Sequence, residues 1–214
     1  MAHHSDPDSI ESQLQTVQMR LSEALQSAVI SRLINERGDA EVDGTLNAAI
    51  QARGGFWYAT LVAHQTTLFI SISALLDKGR DVASLYSILA AIETEIPDRI
   101  SEEFRGTLRP LRQELDAIGN KYNKLRHKLF GHTDLERGKF MAQFDAAGFT
   151  HLSIAKDLEQ LEYVFKVLFA VGSGHEHVPQ RGEILHYPYS MHVAAVQRDT
   201  DALLNDLVSA SVNP

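Results

Sequence analysis

The chain contains no cysteine. That removes disulfide frameworks, thiolate metal sites and a cysteine nucleophile together, and it suits a reducing cytoplasm. Surplus positive charge is also missing: 20 Lys and Arg stand against 28 Asp and Glu, a formal net charge of −8. That balance argues against a broad nucleic-acid-binding face, and any contact with RNA has to rest on a local basic patch. The opening residues, MAHHSDPDS, have no basic region followed by an apolar run and do not read as a signal peptide; the His3-His4 pair is given no function. Strand-like alternation, internal repeats and low-complexity tracts are absent. So are a phosphate-cradling glycine loop and a nucleophile elbow. With no Glu-x-x-His or His-x-x-x-His pair, spacing gives no support to a metal site inside a helical bundle, and the reading calls for no metal and no cofactor.

What is present is helical periodicity. Residues 8–35 place Ile10, Leu14, Val17, Leu21, Ala24 and Ala28 on one stripe, with Asp8 or Ser9 as a cap. The polar run 36–44 breaks that helix, and 45–53 predicts a short one. Residues 54–76 run 23 positions without Asp, Glu, Lys or Arg, long enough to span a bilayer. They also hold His64, Gln65 and several hydroxyl residues, so they read as a helix buried in a soluble bundle, with Trp57, Leu61, His64, Leu68, Ile72 and Leu75 inward. His64 on that stripe reads as a buried, hydrogen-bonded histidine. Gly79 is the expected C-terminal cap and Asp81 the expected N-cap of a helix over 82–95, which Pro97 ends. Residues 98–104 suggest a short helix. A long helix over 107–130 follows, with Pro110 in its first turn. Ser153 is expected to cap a helix over 154–171, and 189–210 to form a last helix with Val193, Val196, Leu203 and Leu207 on one side. The loop between them carries His175-Glu176-His177, read as solvated rather than as an ion site. The fold class is all-α: four main helices flanked by an N-terminal and a C-terminal one.

The long helix carries the functional hint. Leu111, Leu115, Ile118, Tyr122, Leu125 and Leu129 form a core stripe. From Lys121 to His132 the chain holds Lys121, Lys124, Arg126 and Lys128 with two histidines and no carboxylate. Arg126 and His132 make an Arg-x5-His arrangement. A guanidinium grips phosphate through paired N–H groups, and an imidazole moves protons near neutrality. Six residues on a straight helix separate two side chains by about 9 Å along the axis and about 240° around it. The pair converges only if the helix ends near Phe130 or if two copies of the chain meet. A plain alternative is that cations gather at a helix C-terminus to match its dipole. Asp134 either hydrogen-bonds His132 or merely begins the next loop.

RHKLFGH, residues 126–132, resembles the Arg-x(4–6)-His signature of the HEPN superfamily. FWYATLVAHQTTLFISISALLDKGRDVASLYSIL (56–89), KYNKLRHKLFGHTD (121–134) and LSIAKDLEQL (152–161) are similar to its abortive-infection, AbiU-like branch. The likeness covers about residues 50–172. It implies a HEPN-like bundle over 50–172, preceded by an N-terminal helix and linker (1–49) packing on it and followed by a loop and C-terminal helix (173–214). It also implies a homodimer whose Arg/His pairs line a shared cleft. The implied activity is metal-independent endoribonuclease action on RNA in the cytoplasm, as a toxin or antiphage effector, with an antitoxin protein as a further partner and no membrane. By that resemblance Arg126 binds the scissile phosphate, His132 is general acid or base, and His127 orients or supports them. Asn123 contacts phosphate or partner, and Lys121, Lys124 and Lys128 guide the RNA backbone. The alternative is a non-catalytic HEPN dimer that binds RNA, a nucleotide or a protein partner.

Overall fold

The computed structural model describes residues 9–79, 81–130, 149–175, 177–181 and 188–212, the side chains at 99, 124–130, 188–190, 211 and 212 excepted. Among them are seven α-helices, one 3-10 turn and no strand, as the 3.6-residue periodicity requires. The helices are α1 (Ile10–Arg37), α2 (Gly44–Gln51), α3 (Gly54–Leu75), α4 (Leu85–Glu95), α5 (Glu102–Phe130), α6 (His151–Gly172) and α7 (Pro188–Val212), with the 3-10 turn at Pro97–Arg99. None of the described helices is long and apolar enough to cross a membrane. The chain divides into two units, Met1–Leu21 with Ile70–Leu185 and Ser22–Phe69 with His186–Pro214.

In the first unit α4, α5 and α6 pack on one another. Leu85, Ile88, Leu89 and Ile92 of α4 are buried, and so are Ile154, Leu158, Leu161, Phe165 and Leu168 of α6. The start of α1 closes on the end of α6. A Cβ on Gly172 would sit 2.9 Å from Leu14 Cδ1 and 3.1 Å from Ile10 Cγ2, so any larger residue would make those side chains shift. In the second unit Leu33, Ile34, Leu46, Trp57 and Leu204 form the core. Arg37 ties α1 to α7 through Asp201 at 3.0 Å and Asn205 at 2.8 Å.

Several helix ends differ from the sequence expectations. Ser9, one of the two expected caps, does cap α1, its Oγ accepting the Ser12 N–H at 3.2 Å. Gly79 is not a helix cap: α3 stops at Leu75, and the Gly79 N–H donates to Asp77 Oδ1 at 2.8 Å in a side-chain turn. Asp81 does not start α4. Ser84 does, because it forms a reciprocal capping box with the Ser87 hydroxyl. Thr150, not Ser153, caps α6, with Ser153 as the returning member of its box. Helix α5 begins at Glu102, which places Pro110 in its interior. Buried Phe104 and Leu108 extend the core stripe backward, and Glu102 and Glu103 suit the positive end of the dipole. Pro110 lies on the exposed face, where water can serve the Gly106 carbonyl that the missing N–H leaves unpaired. On α7 the buried residue is Leu204, while Leu203 is 56% exposed. Asp201 and Asn205, held by Arg37, set that face, and a pattern of apolar residues alone does not register them. Thr150→Ala should cost about 1 kcal/mol, read as a small fall in the thermal midpoint with an unchanged helical signal.

Candidate functional site

Helix α5 positions the sequence-predicted residues. Its buried face runs Phe104, Leu108, Leu111, Leu115, Ile118 and Tyr122, the i, i+3, i+4 spacing of one helical stripe. The backbone of Lys124, Arg126, His127 and Lys128 belongs to α5, but their side chains lie outside the described residues, and His132 lies outside them altogether.

The turn just before Arg126 is clamped. Lys121 Nζ lies 2.5 Å from Asp157 Oδ2 of α6 and 4.6 Å over the Phe149 ring. The Phe149 ring meets Tyr122 edge to face at 5.0 Å between centroids. Tyr122 is 1% exposed, and the Asp157 carboxylate acts on its phenol. Burial, then the charge of Asp157 and its hydrogen bond, hold the phenol above its usual range. One carboxylate thus serves two neighbours on α5. The residue just before the cap of α6 packs on the same turn, four residues and about 6 Å of helix before Arg126.

Of the predicted phosphate contacts, Lys121 is engaged with Asp157, so its charge is locally balanced. Asn123 is half-buried beside it. Two further ion pairs join α5 to its neighbours. Arg112 meets Glu93 at 2.7 Å, and Lys78 meets Asp116 of α5 at 2.7 Å. Hydrogen bonds from Lys78 and Tyr86 hold the Asp116 carboxyl below its usual range. These groups border a cavity of about 510 Å³, whose cations are spoken for. Glu114 pairs with Arg181, and the Arg181 guanidinium lies 4.2 Å over the Tyr163 ring, which fastens the loop after α6 to α5 and α6.

Sequence reasoning missed Asp157, Phe149 and the Glu114–Arg181 pair. Lys121 and Asp157 are 36 residues apart, and Glu114 and Arg181 are 67 apart. No local period connects them. The one available signal was an acidic residue at Asp157 on the edge of an otherwise apolar α6 face.

His64 is half-buried on α3, and burial lowers its pKa from the ordinary 6.5. The folded chain then binds fewer protons there than the unfolded chain. The stabilisation is complete above about pH 6.5 and is lost as pH falls toward the folded value. The thermal midpoint should fall more between about pH 7.5 and about pH 5 in the parent than in His64→Gln.

A family model of the HEPN type, described as AbiU2, matches residues 17–203. No curated protein matches the chain, and no solved structure does.

Proposed function

The chain belongs to the AbiU2 family of HEPN-type domains, and from that premise we propose that it is a metal-independent endoribonuclease of HEPN type, acting as a toxin or antiphage effector. The observation that carries the reading is Arg126 and His132 within one cationic stretch, on and just beyond the last turns of a long helix whose core face is buried. In this chemistry the RNA 2′-oxygen bonds to the adjacent phosphorus while the bond to the 5′-oxygen breaks. One imidazole takes the 2′-hydroxyl proton and another delivers a proton to the leaving oxygen. Arg126 balances charge on the phosphoryl oxygens. A homodimer supplies two copies of each group, and His127 supports them. Lys124 and Lys128 steer the RNA backbone, with Lys121 and Asn123 beside them.

The test is incubation of the purified protein with total RNA in EDTA, beside Arg126→Ala and His132→Ala. Cleavage that is unchanged in both variants removes the site. Light scattering checks the dimer, and a monomer at working concentration counts against the shared cleft.

A second reading, a non-catalytic HEPN dimer binding RNA, a nucleotide or a protein partner, draws support from Lys121. With its ammonium balanced by Asp157, the cationic stretch offers one fewer charge to phosphate in a protein of net charge −8. On that reading the variants lose binding, and no product forms from any RNA.

A further inference from the structure

The second unit holds a cavity of about 280 Å³ among α1, α2 and α3, lined chiefly by Asn35, Ile50, Gln51, Trp57, Tyr58 and Leu61. None of the side chains lining it is charged. A phosphate or a metal ion has nothing to bind there, and the occupant is neutral. The volume lies just below the range of about 300–1,000 Å³ typical of drug-sized ligands, so it suits a single ring system.

The lining is specific in kind. Trp57 is 7% exposed, yet its indole N–H is buried with no acceptor among the described residues. That N–H has almost no accessible surface, so Trp57 lines the cavity with atoms other than its donor. Tyr58, beside it, is 53% exposed and offers an accessible ring. Gln51, exposed on the lining, brings an amide with donor and acceptor atoms, whereas the Asn35 amide already donates to the Ser31 carbonyl at 2.8 Å. Aromatic faces with amide groups at their edge are the means by which proteins hold unpaired bases, stacking the ring and reading its rim.

We propose that this cavity binds a nucleobase, either as a free nucleoside or as a base of single-stranded RNA, with Tyr58 stacking on it and Gln51 reading its edge. The residues lining the cavity include neither Arg126 nor His132, and the proposal stands whether or not the chain cleaves RNA.

Trp57 is the chain's single tryptophan, so its emission reports on this cavity alone. Adenosine, guanosine, cytidine and uridine are titrated separately, then single-stranded homo-oligonucleotides of each base. The expected result is a saturable emission change with at least one base. Saturation by nucleosides identifies a free-nucleoside site, and saturation by oligonucleotides alone identifies a base within a strand. Gly54 also lines the cavity, and a Cβ there meets nothing within 4 Å, so Gly54→Leu starts its side chain in open space. It should weaken binding about tenfold or more, and Gln51→Ala, an exposed truncation, should weaken it several-fold. Nucleoside binding that persists in His132→Ala separates this site from the proposed catalytic one. The proposal is overturned by the absence of saturable change with every nucleoside and oligonucleotide. It is overturned equally by benzene binding as tightly as the best base, or by Gln51→Ala and a folded Gly54→Leu both binding like the parent.

Discussion

His132→Ala is expected to lower metal-free RNA cleavage by about a hundred- to ten-thousand-fold, the range over which a positioned general acid or base contributes. Arg126→Ala should cost about a hundred- to a thousand-fold, as removal of a donor aimed at developing charge does. The conservative variants sharpen the assignment. Arg126→Lys keeps a charge but loses the two-pronged grip on phosphate, so it should recover only part of the loss. His132→Gln keeps hydrogen bonding but cannot carry a proton, so it should recover almost none. If the two groups act as one unit, the double variant should be little worse than the worse single one. The pH dependence separates their roles. A rate limited by imidazole protonation bends near neutrality in Arg126→Lys and loses that bend in His132→Gln. Thermal midpoints measured beside the rates distinguish lost chemistry from lost fold. Equal cleavage by parent and both alanine variants would mean that another site or a contaminant does the work.

The helices were legible because burial repeats with the helical turn. Ile154, Leu158, Leu161, Phe165 and Leu168 are all buried as their spacing predicts, and α5 buries Leu111, Leu115, Ile118 and Tyr122 in the same way. Helix ends were less legible, because several polar residues compete for each cap. Ser84 prevails over Asp81 through the hydroxyl of Ser87 three positions on, and Thr150 prevails over Ser153 for the same reason. The charge-free stretch 54–76 read as a helix buried in a bundle, with one stripe of it inward. It buries Trp57, Leu68, Ile72 and Leu75, yet exposes Phe56 at 64% and Ile70 at 54%, because one helix can turn only one face to a core. Long-range polar partners were not legible at all. Arg37 reaches Asp201 across 164 positions, and nothing in the local pattern of either segment names the other. At the candidate site the chemistry-bearing pair was visible as a motif, whereas the clamp behind it needed the packing of α6 on α5.

That clamp carries the second large effect. Tyr122→Ala should remove about 3–5 kcal/mol of stability, since it empties the place of an aromatic ring that is 1% exposed. For a chain of this size each kcal/mol moves the thermal midpoint by roughly 2–4 °C, so the fall should be on the order of 10 °C. Tyr122→Phe keeps the ring against Phe149 and loses only the hydroxyl beside Asp157, which should cost about 1 kcal/mol. Asp157→Ala leaves the Lys121 ammonium and the Tyr122 hydroxyl without their shared carboxylate. The Lys121 side chain is 29% exposed, so water screens part of the loss and the cost should stay at about 1–3 kcal/mol. Because the hydroxyl and the carboxylate act on each other, Tyr122→Phe combined with Asp157→Ala should cost less than the two singly. The same series reads on function. Arg126 follows Tyr122 by one helical turn, so a loosened clamp should lower cleavage below the unfolding temperature, most in Tyr122→Ala and least in Tyr122→Phe. Cleavage that holds at the parent rate in folded Asp157→Ala would show that the last turns of α5 are positioned by something other than this contact with α6.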